Sequence, residues 1–110
     1  MTVKEMAGRL NLKPAAGLDA MENEVAGAYV CDLLSWVMAH AGKGSAWVTI
    51  QAHVNIVAVA CLLDLACIIV CEGVEVDADT LEKANDEGMP VLTTTKDAYS
   101  ICCGLKDLGI

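Results

Sequence analysis

The sequence predicts an α/β fold, a three-layer α/β/α sandwich with a mostly parallel sheet. Segments with the patterns of strands and helices alternate from Glu24 to the end of the 110-residue chain. The connections between them are short, which favours right-handed βαβ crossovers and therefore parallel strands. Residues 67–71 form a continuous apolar run, typical of a parallel strand that is buried on both faces. Because no repeat, low-complexity tract or long linker divides the chain, we expect one domain over residues 1–110.

The N-terminal part of the chain predicts one helix, a loop and the first strand. Thr2 and Glu5 have the spacing of a capping box, so a helix is expected to begin here and to run to Leu10. The Lys13-Pro14 pair ends the helical pattern. A loop over residues 18–23 and a strand over residues 24–30 are expected to follow.

The middle of the chain predicts two helices separated by a strand. Asp32 is expected to cap a helix over residues 33–41, in which apolar residues recur at helical spacing. A strand is predicted over residues 47–50. Asn55 is expected to cap a helix over residues 56–65 that is apolar nearly all round. Such a helix must be covered on more than one side, either by its own sheet and other helices or by a second subunit.

The C-terminal part predicts two further strands and two further helices. The strand at residues 67–71 is followed by a second capping-box pattern at residues 79–82, which predicts a helix that ends at Gly88. A last strand is expected over residues 91–93, and a last helix over residues 97–108.

Composition and charge exclude several classes of function. The chain has seven Lys and Arg against fifteen Asp and Glu, a net charge of −8, and no basic stripe for nucleic acid. Its most apolar stretch, residues 56–71, is interrupted by Asp64 and is too short for a membrane span. The N-terminus lacks the order of a signal peptide, so we expect a cytoplasmic protein whose six cysteines are reduced.

No motif of the chain predicts a metal site, a cofactor or catalysis. No C-x-x-C is present, and Cys67 and Cys71 would be about 13 Å apart along one strand. Lys43 lies in a glycine-rich turn, but this turn follows a helix, whereas a phosphate loop follows a strand. A cysteine nucleophile with His40 or His53 as its base remains an open alternative.

Polar residues follow the carboxyl ends of the predicted strands, which is where ligands bind in open α/β sheets. The candidate ligand-binding residues are Asp32, Ser35, Gln51, His53, Asn55 and Thr94. Capping alone would explain Asp32, Asn55 and also Thr95, which precedes the last helix, whereas Gln51 and His53 have no evident capping role. Several helix N-termini would point into this edge, which favours an anion or a nucleotide as the ligand.

The order and spacing of these segments, from about Glu24 to Ile110, resemble the DRTGG domain family. The segments that carry the resemblance are residues 44–73, 77–84, 90–92 and 97–99. The family takes its name from an Asp-Arg motif after the second strand and a Thr-Gly-Gly motif after the next one. Residues 52–55 and 71–73 occupy these positions here, and the sequence keeps Gly73 and a polar Asn55 but replaces the Asp-Arg pair with Ala52-His53. An Arg-based anion site is therefore not expected.

The resemblance implies a regulatory module with a three-layer α/β/α fold and a tendency to dimerise. Such domains occur beside CBS domains in a pyrophosphatase. They also occur in the N-terminal part of some phosphotransacetylases, and they are similar to the N-terminal domain of HPr kinase/phosphorylase. The kinase activity belongs to a separate domain with its own phosphate loop, so it is not expected here.

We therefore expect a non-catalytic regulatory or small-ligand-sensing domain that forms a homodimer. The alternative is a protein-interaction adaptor in a metabolic or redox complex, with no small ligand. A small enzyme that uses a cysteine or a histidine is the third hypothesis.

Overall fold

The computed structural model describes residues 1–110 and contains one five-stranded sheet with helices on both faces. The strands are β1 Lys13–Ala16, β2 Gly27–Val30, β3 Ser45–Thr49, β4 Cys67–Val70 and β5 Val91–Thr93. The helices are α1 Val3–Leu10, α2 Leu34–His40, α3 Asn55–Leu62, α4 Ala78–Glu87 and α5 Ala98–Asp107, with a short 3-10 helix at Leu18–Ala20.

The sheet has the strand order β1-β5-β4-β3-β2. Strands β2 to β5 are parallel, and β1 lies antiparallel beside β5 at one edge. This arrangement confirms the predicted α/β sandwich with a mostly parallel sheet. Every residue of β3 and β4 is buried, as the continuous apolar run in β4 predicts.

Two apolar cores lie on opposite faces of the sheet because successive side chains of a strand point to opposite sides. Ile69 belongs to the core that also contains residues of α1 and α5, such as Met6 and Ile101. Its neighbour Ile68 belongs to the core that contains Trp47 and residues of α2, α3 and α4. The helices therefore form the two outer layers of the sandwich.

Strand β1 was not predicted, because the sequence pattern at Lys13-Pro14 indicates only the end of a helix. Lys13 pairs with Thr93 and Pro14 with Leu92, and the register shifts before Ala16. Proline lacks an N–H group to donate, so it is tolerated in a strand only at an edge or a bulge, and β1 offers both.

One predicted N-cap is confirmed, and one is displaced by two residues. The Thr2 hydroxyl accepts from the N–H of Glu5 at 3.1 Å, and the Glu5 carboxylate accepts from the N–H of Thr2 at 3.1 Å. At α5 the sequence predicts Thr95 as the N-cap, but the structure uses Asp97, whose carboxylate accepts from the N–H of Ser100 at 2.8 Å.

Three further predicted N-caps are wrong. No side chain caps α2, α3 or α4 by a hydrogen bond. Asp32 lies before the cap position of α2 and binds the end of β3 instead, while Asn55 and Asp79 lie inside the first turns of their helices. The strand bounds also differ slightly, since β2 begins at Gly27 and β3 begins at Ser45.

The apolar helix α3 is covered within the chain itself. Ile56, Val57, Val59 and Ala60 are buried, and α3 packs against α2 and α4 as well as against the sheet. Of the two ways to cover this helix that the sequence leaves open, the structure therefore uses the first. The composition of α3 no longer requires a second subunit.

Candidate functional site

The carboxyl ends of β2 to β5 lie at one edge of the sheet because these strands are parallel. All six candidate residues follow one of these strands, so they lie along this edge. Strand β1 is antiparallel and begins at the same edge, where it adds Lys13 beside the end of β5. The edge has two halves with different chemistry.

In the β2–β3 half, the polar side chains are hydrogen-bonded to neighbouring segments of the chain. The Asp32 carboxylate accepts from the Thr49 hydroxyl at 2.8 Å and from the N–H of Ile50 at 2.9 Å. The Gln51 side-chain amide donates to the carbonyl of Asp32 at 2.9 Å. These bonds join the segment after β2 to the segment after β3, so Asp32 and Gln51 have a structural role.

His53 lies farther along the same connection and is bound to the start of α4. Its Nδ1 lies 2.7 Å from Oδ2 of Asp77 and donates to that carboxylate. This hydrogen bond, together with the negative charge of Asp77, raises the pKa of His53. The side chains of Ser35 and Asn55 are exposed and make no hydrogen bond within the chain.

Large apolar side chains are exposed around this polar network. Val30, Leu33, Trp36 and Ile50 are all exposed, Leu33 to 61% and Trp36 to 53%. The Trp36 ring stacks on the ring of His40, with 4.2 Å between the ring centroids. We call these four residues the apolar rim surface.

In the other half of the edge, a cleft of about 610 Å³ opens between the end of β5, the start of β1 and the loop after β4. We call it the rim cleft. Its polar side chains are those of Asn11, Lys13, Thr93, Thr94, Thr95 and Lys96. Its apolar wall consists of Ala15, Val74, Val76 and Leu81, and Gly73 and Glu75 complete the lining.

The turn after β4 shapes this cleft. Glu72 and Gly73 both have left-handed backbone angles, with φ of 63° and 67°. The N–H of Glu72 donates to the carbonyl of Lys96 at 2.8 Å, and the N–H of Gly73 donates to the carbonyl of Thr94 at 2.9 Å. The turn therefore holds residues 94–96 in place through backbone bonds, and the Thr94 hydroxyl accepts from the N–H of Lys96 at 3.1 Å. The Thr95 hydroxyl and the Lys96 ammonium have no partners in the chain.

The model of the DRTGG domain matches residues 15–107. The chain belongs to the DRTGG domain family. Its fold is similar to a crystal structure of the CBS and DRTGG domains of the regulatory region of Clostridium perfringens pyrophosphatase, complexed with the activator diadenosine tetraphosphate. The TM-score is 0.75 and the identity is 14%, over 94% of this chain and 45% of that chain. The chain thus spans less than half of that regulatory region, and no curated protein matches its sequence.

The two name-giving positions of the DRTGG family lie at different places along this edge. Ala52 and His53 are bound to the start of α4, where the carbonyl of Ala52 accepts from the buried hydroxyl of Thr80 at 2.8 Å. Gly73, which the sequence shares with the Thr-Gly-Gly motif, lies in the turn at the rim cleft.

Of the six candidate residues, only Thr94 lines the rim cleft of this DRTGG domain. Sequence reasoning missed Lys13 and Asn11, since the strand that brings Lys13 to the edge was not recognised. One signal was available: residues 13–16 form a short segment between a helix and a glycine, with proline at a position that only an edge strand tolerates.

No three His, Cys, Asp or Glu side chains of the DRTGG domain lie close enough to hold a metal ion. All six cysteines are free. Burial raises the pKa of Cys67 to about 12 and that of Cys71 to about 11, so neither is a thiolate at neutral pH. None of the helices has the length and apolar character needed to cross a bilayer.

Proposed function

We propose that this DRTGG domain is a non-catalytic regulatory domain that senses a small anionic ligand, such as a nucleotide, at the carboxyl edge of its sheet. The observation that carries the proposal is the rim cleft. Its volume of about 610 Å³ lies within the range of small-molecule sites, and its lining combines an apolar wall with a few polar groups. The candidate residues Asp32, Ser35, Gln51, His53, Asn55 and Thr94 lie along the same edge.

The similar crystal structure supports a regulatory role, because it shows the regulatory region of a pyrophosphatase complexed with the activator diadenosine tetraphosphate. The state of the nucleophile candidates supports a non-catalytic role. Cys67 and Cys71 are protonated at neutral pH, and Nδ1 of His53 faces a carboxylate rather than a nucleophile. A Cys–His pair would need a thiolate within hydrogen-bond reach of the ring.

The proposal can be tested with two matched hydroxyl deletions. Thr95→Val and Ser35→Ala each remove an exposed hydroxyl that has no hydrogen bond in the chain, one in the rim cleft and one in the β2–β3 half. A thermal-shift screen of nucleotides, inorganic phosphate and small carboxylates comes first, followed by calorimetry on the compounds that raise Tm. We expect Thr95→Val to weaken binding more than Ser35→Ala, and a loss of binding in Ser35→Ala alone would place the ligand in the β2–β3 half. If no compound raises Tm at millimolar concentration, the sensing proposal is wrong.

The apolar rim surface favours a second candidate function, protein interaction without a small ligand. We also propose that the regulatory domain itself forms a homodimer, in which the second copy contacts β2 rather than α3. The two edges of the sheet differ in a way that supports this location. Strand β1 carries Lys13, Pro14 and a register shift, all of which discourage further strand pairing. Strand β2, Gly27–Val30, has none of these features and presents an unpaired edge beside exposed Val30.

The oligomeric state tests the proposed homodimer. In light scattering at about 100 μM, a usual range for weak dimers, we expect a mass near twice 11.5 kDa. Val30→Lys is expected to give the monomer, while Leu18→Lys, which places the same charge at another exposed apolar position, is not. A wild-type protein that stays monomeric at this concentration would rule out the dimer.

A further inference from the structure

We infer that the rim cleft binds the phosphate group of a phosphorylated small molecule, with Lys13 and Lys96 as its two cationic contacts. This inference rests on the proposed function, because it places the sensed ligand in that cleft and specifies its chemistry.

The distribution of charge over the molecule favours an anion in the rim cleft. The chain has seven Lys and Arg against fifteen Asp and Glu, so an excess of positive charge is unusual anywhere on its surface. Two of the seven cations line the rim cleft, and Glu75 is its only carboxylate. A partly enclosed cleft with an excess of cations attracts anions more strongly than a flat surface does.

The two lysines of the rim cleft are not used in ion pairs within the chain. Lys43 and Lys83 form ion pairs, with Asp64 at 3.3 Å and with Glu87 at 3.1 Å. Lys13 and Lys96 form no ion pair within the chain, so their ammonium groups are available to a ligand.

A second cavity, beside α1, serves as an internal comparison. It has a similar volume of about 570 Å³, and Lys4 and Arg9 contribute two cations to its lining. Glu5 and Glu22 line the same cavity, so its charges cancel. The excess of positive charge is thus a property of the rim cleft and not of every cavity in the molecule.

The strand register brings Lys13 beside the chain segment that carries Thr95 and Lys96. Lys13 is the register partner of Thr93, and Lys96 follows three residues later along the same chain segment. The exposed Thr95 hydroxyl has no partner in the chain and can donate to a phosphate oxygen. Lysine is a common phosphate ligand in proteins because it supplies a point charge with several donors.

The apolar wall indicates that the ligand is larger than phosphate itself. Ala15, Val74 and Leu81 line the cleft, and its volume of about 610 Å³ far exceeds the needs of an inorganic anion. A phosphate ester with an apolar or planar part, of the size of a mononucleotide, would use both the cationic end and this wall.

An NMR titration of the ¹⁵N-labelled chain with AMP, ATP and inorganic phosphate tests the inference. The variants are Lys13→Gln and Lys96→Gln, and the control is Lys106→Gln. Lys106 is an exposed lysine that lies outside the cleft and forms no ion pair. We expect amide shifts in residues 73–76 and 93–96, and an increase of about tenfold in Kd for each cleft variant, the usual effect of losing one charged hydrogen bond. The control should bind like the wild type.

Three results would overturn the inference, and they separate it from the proposed function. If the phosphate compounds shift the amides around Asp32 and Gln51 and the lysine variants bind normally, the ligand lies elsewhere on the edge and sensing survives. If only compounds without phosphate bind, sensing again survives. If nothing in the broader screen binds, both proposals are wrong.

Discussion

The two halves of the carboxyl edge contain similar residue types and differ in what those residues are bonded to. In the β2–β3 half, Asp32 and Gln51 are bonded to neighbouring segments of the chain, and exposed apolar side chains surround them. In the other half, backbone bonds and the hydroxyls of Thr93 and Thr94 hold the chain, and the side chains of Thr95 and Lys96 have no partners. A polar residue at a strand end is therefore available to a ligand only where its own side chain is not bonded to the rest of the chain.

The same contrast explains the role of β1. This strand fills the edge position beside β5 and supplies a lysine from a distant part of the sequence. The β2 edge has no such additional strand. The rim cleft therefore depends on the attachment of β1 to β5.

The largest expected effect comes from Gly17→Ala, which would disturb the end of β1. Gly17 has φ of +68°, and a Cβ atom at this position would lie 2.1 Å from the carbonyl oxygen of Met89. Left-handed strain and overpacking together should lower the free energy of unfolding by about 2–5 kcal/mol. Urea denaturation measures this loss, and Gly88→Ala is the control. Gly88 has a similar φ of +67°, but a Cβ atom added there would meet no atom within 4 Å. Equal losses in the two variants would show that Met89 does not constrain β1.

Asp32→Ala should destabilise the fold without affecting the rim cleft. The substitution leaves the Thr49 hydroxyl and the N–H of Ile50 without their acceptor, and Thr49 is only 2% exposed. A loss of about 1–3 kcal/mol is expected for an unsatisfied buried donor. Thr95→Ala, which breaks no hydrogen bond in the chain, should change stability by less than about 0.5 kcal/mol. Chemical denaturation of both variants tests the contrast, which fails if Asp32→Ala is also neutral.

Gly73→Ala should have a smaller effect that is confined to the turn of the rim cleft. The added Cβ would lie 3.9 Å from Cγ2 of Thr95, an ordinary contact, so the cost comes from the positive φ alone. That cost is about 1–2 kcal/mol. Amide hydrogen exchange would locate the change, and we expect faster exchange at Glu72 and Gly73, whose N–H groups bond to residues 96 and 94. Faster exchange throughout the sheet would contradict a local effect.

The smallest expected effect is a change in the pH dependence of stability through His53. The hydrogen bond to Asp77 raises the pKa of His53 in the folded state above its ordinary value near 6.5. The stabilising contribution is therefore complete below about pH 6.5 and is lost as the pH rises through the folded-state pKa. In Asp77→Asn this dependence should disappear and the NMR-measured pKa of His53 should fall. The exposure of both side chains keeps the effect small, and an unchanged pKa would contradict the hydrogen bond as its cause.

The layers of the fold follow from local patterns that the sequence displays directly. The apolar run in β4 and the helical spacing in α5 depend on neighbouring residues, so they can be recognised without tertiary information. The Thr2 and Asp97 caps also act within a few residues. Asp32 was misassigned because its carboxylate binds β3, which lies 17 residues away in sequence and only becomes adjacent through strand pairing.

The candidate site was predicted only in part, for the same physical reason. The rule for parallel sheets identifies the edge and Thr94, but it does not reveal which polar groups are already bonded. The contribution of Lys13 depends on β1, a four-residue strand whose pairing with β5 spans about 80 residues of sequence. No local pattern reveals such a partner.

The unequal edges of the sheet also limit how many copies of this domain can join through their strands. A molecule with two open edges can add neighbours on both sides and form an unlimited ribbon. Here Lys13, Pro14 and the register shift discourage pairing on one side, so the proposed homodimer would use the one remaining edge, at β2. Two molecules that meet there about a two-fold axis use up both β2 edges, and growth stops at a pair.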